Sequence, residues 1–259
     1  MLELFGWIGT FLVGFVLGLL GGGGSILIVP VLVYLFRLSA EISTSLSLLV
    51  VGLASAIGIT LTPAKKEIHW PTAIAFAIPS GIGAFLARRF FVPATPDPIL
   101  GLSKDAFLLV LFAALMLIIS IRMIRPDKSP SPTQESPKTD FLRSTPVGLV
   151  VGTTAGYLGA GGGFLIVPAL TQVLRLSITA AIPTSLAIIA AQSLIGFTGA
   201  FGQPLNYPFG LMLTTVAVVG VIAGSYTKSK INPAKLKPIF GYFVLIVGVF
   251  MLIQELILK

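Results

Sequence analysis

Apolar residues run from Leu4 to Leu20 without a charged position. At a 1.5 Å rise per residue, such a run predicts a helix close to the thickness of a bilayer's hydrocarbon core. It leads into four consecutive glycines, Gly21 to Gly24. Each weakens a helix by about 1 kcal/mol relative to alanine, so the helix is expected to break there. A shorter apolar stretch, 26–36, follows and stops at Arg37; at about 16 Å it reaches across half a bilayer. Full-length helices are expected at 42–61, 71–90 and 105–124. The polar knot Lys65-Lys66-Glu67-Ile68-His69 and a proline-rich loop, 92–98, separate them. Past a polar stretch the pattern returns as a broken segment at 146–174, helices at 180–201 and 207–226, a lysine-containing loop at 228–237, and a last helix to Leu258.

The return is a duplication. Residues 14–39 match residues 152–177 at a constant offset of 138, with 14 of 26 positions identical. The identities include Gly21 with Gly159, Gly23-Gly24 with Gly161-Gly162, Leu27-Ile28-Val29-Pro30 with Leu165-Ile166-Val167-Pro168, and Arg37-Leu38-Ser39 with Arg175-Leu176-Ser177. One long period means a duplicated half rather than a solenoid. Thr44-Ser45-Leu46 recurs as Thr184-Ser185-Leu186, so the match extends beyond the glycines. The polar stretch from Arg125 to Thr145 has the proline, serine and mixed charge of a linker. The chain therefore divides into an N-terminal transmembrane repeat (1–124), a linker (125–145) and a C-terminal transmembrane repeat (146–259).

Composition agrees with this pattern. With 55% hydrophobic residues, 10% charged residues and a mean hydropathy of +1.01, the chain reads as an all-α integral membrane protein. The first apolar run lacks a basic flank and a small-residue cleavage site and is taken as part of the fold rather than as a signal peptide. The formal net charge is +8, yet the basic residues are spread over loop ends, which suits membrane topology better than nucleic acid. If each glycine segment enters and returns, each half has three full spans and the halves are inverted repeats. That arrangement puts the linker, Lys65-Lys66 and the 228–237 loop on the cytoplasmic side, with Arg88 and Arg89 as exceptions. Full crossings would place four lysines of the 228–237 loop outside, a heavier violation.

Irregular backbone at membrane depth is tolerated only inside the protein or beside a polar cavity. For Gly14, Gly18, Gly148, Gly152 and Gly156, spaced by four, close helix packing is the better account. Interrupted segments at matching places in two halves instead point to a transporter's site. Helix N-termini carry free N–H groups and partial positive charge, and glycine lets the backbone approach an oxyanion. None of the nine Asp and Glu lies in the middle of an expected span, which argues against a cation substrate. The candidate anion site therefore comprises Gly21, Gly22, Gly23, Gly24, Ser25, Thr44, Ser45, Gly159, Ala160, Gly161, Gly162, Gly163, Thr184, Ser185 and Gln192. Neutral donors of this kind would hold an anion loosely enough for release. The hydroxyls have a second reading, a local bond to the preceding turn. Arg37 and Arg175 suit an entrance or an interface anchor, while His69, Trp70 and Trp7 read as interfacial. With one histidine and no cysteine, the chain offers no metal cluster and no nucleophile pair, and neither an enzyme nor a cofactor is expected.

The duplicated G-x-x-GGGG-x-x-x-x-x-P and G-x-x-GAGGG-x-x-x-x-P segments, each followed by T-S-L, resemble those of the TauE/SafE sulfite exporter family, also called the toluene sulfonate uptake permease family. The resemblance covers both halves and leaves out the linker. It implies a multi-pass carrier of a bacterial or archaeal cytoplasmic membrane that moves a small sulfur-containing anion such as sulfite, thiosulfate or a sulfonate. A passive anion channel, or a permease for another small anion, is the alternative. The lipid bilayer is an expected partner and nucleic acid is not; a coupling proton or ion and a homo-oligomer stay open. One departure is Ile182-Pro183 before Thr184, against Ile42-Ser43 before Thr44, which would make the two half-sites unequal.

Overall fold

The computed structural model describes residues 2–61, 66–99, 101–124, 141–227 and 233–257. Among them the chain is helical apart from loops and one isolated bridge between Ile99 and Leu102. Helix α1 (Leu2–Leu20) passes into a 3-10 turn (Gly21–Leu27), a single α turn, α2 (Ile28–Pro30), and a π turn (Val31–Leu35). Next come α3 (Ala40–Leu61), α4 (Trp70–Leu86) with a π turn (Ala87–Phe91) and α5 (Val92–Ala94), and α6 (Lys104–Ile124). The second half contains α7 (Phe141–Leu158), α8 (Gly163–Pro168) with a π turn (Ala169–Val173), α9 (Ile178–Thr198), α10 (Tyr207–Thr227) and α11 (Pro233–Leu256). Seven helical stretches among the described residues are long and apolar enough to cross a membrane. Ile74, Ile78 and Ile82 form an exposed stripe at four-residue spacing on α4, an apolar face suited to lipid.

Three boundaries differ from expectation. The expected loop after residue 90 is still helical through Ala94, and α7 starts at Phe141, inside the stretch read as linker. Residues 125–140 of that linker, Lys65, and 228–232 of the lysine loop lie outside the described residues. The second arm of the first glycine segment does not begin as a new α-helix near Ile26; the 3-10 turn carries the chain to Ile28.

The first glycine segment is a hairpin. A straight 34-residue helix over Leu2–Leu35 would be about 50 Å long, but the chain turns at Gly21, whose φ of 72° is left-handed. Gly24 then packs on Val13 and Leu17, Val31 and Leu35 pack on Gly9, and the Phe36 ring covers Gly6. Trp7 meets Phe36 edge to face at a centroid distance of 5.4 Å. The second arm thus returns to the end of α1 where the chain began.

Proline and the repeated Arg-Leu-Ser explain how each arm ends. Pro30 and Pro168 each precede a π turn; the proline's missing N–H and its clash with the carbonyl four residues back weaken the turn before it, and regular α geometry is not resumed in the arm. Arg37 and Arg175 then adopt φ values of 57° and 55°, and the N–H groups of Leu38 and Leu176 donate to the carbonyls of Leu32 and Leu170. This is a left-handed stop of the Schellman kind, made here without glycine. Ser39 and Ser177 cap the next helices, their Oγ atoms accepting from the N–H groups of Ile42 and Ala180.

Helix contacts cross between the halves reciprocally. α1 packs on α10 and α4 on α7; α3 packs on α10 and α4 on α9; α3 also meets α9, and α6 meets α11. Helices α1 and α10 run parallel, with Gly14 against Ala217 and Gly18 against Val221. Helices α7 and α4 do likewise, with Gly152 against Ser80 and Gly156 against Ala84. The four-residue glycine spacing is therefore a packing face at which backbones touch. Helices α3 and α9 run antiparallel, since Gly52 faces Leu194 while Gly196 faces Leu48. So do α6 and α11, with Gly241 against Met123 and Gly248 against Leu117.

Candidate functional site

The two glycine breaks meet. Gly22 and Gly163 lie backbone to backbone, so that a Cβ on either would overlap the other. Gly21 packs on Ile182 and Ser185, and Gly159 packs on Thr44, so each break also reaches the Thr-Ser-Leu stretch of the opposite half. Gly161 and Gly162, with φ of 64° and 69°, approach Val51, Ser25 and Ser193 in one case and the Gln192 amide in the other. All of Gly21 to Ser25 and Gly159 to Gly163 are buried. Gly23 stands apart: the atoms nearest its missing Cβ belong to Leu20 and Phe240.

The hydroxyls mostly make local bonds. Ser25 Oγ donates to the Gly22 carbonyl at 2.9 Å, Thr44 Oγ1 to Glu41 at 3.0 Å, and Ser185 Oγ to Ile182 at 2.7 Å. Ser45 Oγ bonds both the Glu41 carbonyl at 2.9 Å and Gln203 Oε1 at 2.6 Å. Thr184 differs from Thr44, as its Oγ1 accepts the His69 N–H at 3.0 Å. Pro183 lies just before it inside α9, and the two half-sites are unequal at this pair. His69 caps α4, its Nδ1 accepting the N–H of Thr72.

Around the junction several buried polar atoms have no partner among the described residues. Gln192 Nε2 donates to the Gly161 carbonyl at 3.3 Å, but its Oε1 is unpaired, as are Ser193 Oγ and Ser55 Oγ. Buried polar atoms are nearly always satisfied, so a cluster of unpaired ones beside the junction stands out from the rest of the core. Ser193, Ser55 and Ser47, whose hydroxyl donates to the Thr44 and Gly159 carbonyls, were not singled out from sequence. Serine in an apolar helix carries no periodic signal; Ser47 stands against Gly159 of the other half and Ser193 against Gly161 of its own, contacts that only the folded chain brings together.

A second polar group lies at the Gln203 end of α9. Glu41 Oε2 pairs with Lys104 Nζ at 2.9 Å and its Oε1 accepts from Gln203 Nε2 at 3.0 Å, while the Glu41 N–H donates to Asp105 Oδ1 at 3.3 Å. Arg88, which counted from sequence as an exception to the charge topology at the end of the expected 71–90 helix, is fully buried on the π turn after α4, with its Cβ beside Gly199. Arg89, next to it, is exposed.

The model of the family described as Sulfite exporter TauE/SafE matches residues 7–251, spanning both glycine breaks. The chain belongs to the TauE/SafE sulfite exporter family. Among relatives of this family member, a probable membrane transporter protein of Xylella fastidiosa is 30% identical over 249 residues, covering 93% of this chain and 91% of the relative. Probable membrane transporter protein MJ0441 of Methanocaldococcus jannaschii is 26% identical over 262 residues, 93% of this chain and 94% of its own. Probable membrane transporter protein YdhB of Bacillus subtilis is 22% identical over 222 residues, 85% of this chain and 86% of its own. No solved structure matches the chain. This TauE/SafE member is therefore a multi-pass membrane transport protein of the cell membrane.

Proposed function

We propose that the protein is a secondary transporter that carries a small sulfur-containing oxyanion, such as sulfite, thiosulfate or a sulfonate, by alternating access. The observation that carries the reading is the junction of Gly22 with Gly163, where backbone from both halves converges beside the unpaired Gln192 Oε1 and Ser193 Oγ. Glycine backbone and neutral amide and hydroxyl groups recognise an oxyanion by hydrogen bonds without a fixed counter-charge. The family's description supplies sulfur as the expected element. Residues 1–124 and 146–259 form the two repeats; the antiparallel runs of α3 with α9 and α6 with α11 support their inverted orientation. The closed backbone contact at the junction favours a carrier that must open over a standing pore.

Thermal stability of the detergent-purified protein against sulfite, thiosulfate, sulfate, taurine, sulfoacetate and chloride tests this. A bound anion at 100 times its dissociation constant adds about 2.7 kcal/mol. At least one sulfur oxyanion is expected to act on the parent protein, and Gln192→Met is expected to remove that response while still unfolding cooperatively. Stabilisation by a cation or a neutral solute alone overturns the anion reading.

A further inference from the structure

Arg88 is the outstanding anomaly of the fold. Its side chain is completely buried, and none of its three guanidinium nitrogens has a hydrogen-bond partner among the described residues. A buried charge is ordinarily paired, because taking it out of water without a partner is strongly destabilising. The carboxylate whose charge acts on it is Glu41, but both Glu41 oxygens are engaged, one by Lys104 and one by Gln203. The neighbouring Arg89 lies on the exposed face of this turn, whereas Arg88 points inward.

Its location is also specific. Arg88 packs at Gly199, two helical turns or about 10 Å along the chain direction from Gln192, whose amide meets Gly162. It rides on a π turn, Ala87–Phe91, a distortion found often at functional sites. The other half lacks it. Aligning Trp70-Pro71 with Tyr207-Pro208 and Gly83 with Gly220 sets Ser225 opposite Arg88.

We propose that Arg88 is an anion-binding residue that takes the transported oxyanion between the Glu41–Gln203 end of the protein and the glycine junction. This rests on the anion-transport reading above and adds to it a charged step on one side only. The guanidinium presents paired N–H donors that fit two oxygens of a sulfite, thiosulfate or sulfonate group by two parallel bonds, whereas a monatomic halide offers them a single centre and a poorer match. Glu41 supplies a distant negative charge that would keep the empty site from holding an anion too firmly.

The test compares the parent, Arg88→Met and Arg88→Lys with Gln192→Met, full-length in detergent, titrated with sulfite, thiosulfate and chloride and followed by thermal unfolding. Methionine keeps the volume and removes the charge. Arg88→Met is expected to melt no lower than the parent without anion, because an unpaired buried charge has been deleted, and to bind sulfur oxyanions at least about tenfold more weakly. Arg88→Lys keeps the charge and loses the fork, and is expected to narrow the preference for the oxyanions over chloride. If Arg88→Met lowers the anion-free melting temperature and leaves the dissociation constant unchanged, Arg88 is structural and the proposal is overturned. Should Arg88→Met not fold, Arg88→Lys with unaltered affinity and preference overturns it equally. Loss of response in Gln192→Met alone keeps the transport reading and removes this one; no anion response in the parent removes both.

Discussion

A methyl group placed on Gly22 would overlap the backbone of Gly163, and a methyl on Gly163 would overlap Gly22. Alanine at either position is expected to push the two segments apart and to lower stability by about 1–3 kcal/mol, the usual result of overpacking. Gly23→Ala is the contrast. Its nearest new neighbours lie 3.6 Å away, so it is expected to unfold within about 0.5 kcal/mol of the parent. Thermal unfolding of the three variants checks the difference; an equal loss in all three would show that the whole segment is tight rather than the junction.

Membrane orientation can be read chemically, because the chain contains no cysteine. Arg37, Arg175 and Lys66 are exposed. Single variants Arg37→Cys, Arg175→Cys and Lys66→Cys are expected to react with an impermeant maleimide from opposite faces: Arg37 from one, Arg175 and Lys66 from the other. Labelling of Arg37→Cys and Arg175→Cys from the same face would mean parallel repeats.

The left-handed arginines give a stability prediction with a sign opposite to most. A side chain in that conformation is disfavoured by about 1–2 kcal/mol. Arg37→Gly and Arg175→Gly are each expected to raise stability by about 1 kcal/mol, less what glycine loses in the unfolded chain. Arg37→Ala, measured in the same unfolding assay, should show no gain.

Much of this was legible in the chain itself. Apolar run lengths located the spans, the offset of 138 located the duplicated break, and four-residue spacing marked Gly14, Gly18, Gly152 and Gly156 as a packing face, where the structure places them against Ala217, Val221, Ser80 and Ala84. The hairpin was one of two readings, and what decides it is the long-range contact of Phe36 with Gly6 and Trp7. The Arg-Leu-Ser match looked like a charged entrance or an anchor, yet its repetition follows from a left-handed stop and a helix cap. Arg88 registered in the sequence only as an exception to the topology count, because counting charges says on which side of the membrane an arginine near a span's end lies and not whether it faces inward. Whether such a side chain turns inward depends on the helix packed beside it, here α9 at Gly199.

The crossed helix partners have a mechanical consequence. The backbones of α1 and α10 touch at Gly14, Gly18, Gly220 and Gly224, and those of α4 and α7 at Gly83, Gly152 and Gly156. Contacts so close resist sliding, because there is no side-chain layer to repack. Each of these closely packed pairs joins one helix from either copy of the repeated sequence. The two copies are therefore interlocked rather than laid side by side, and drawing them apart would break backbone contacts in both pairs at once.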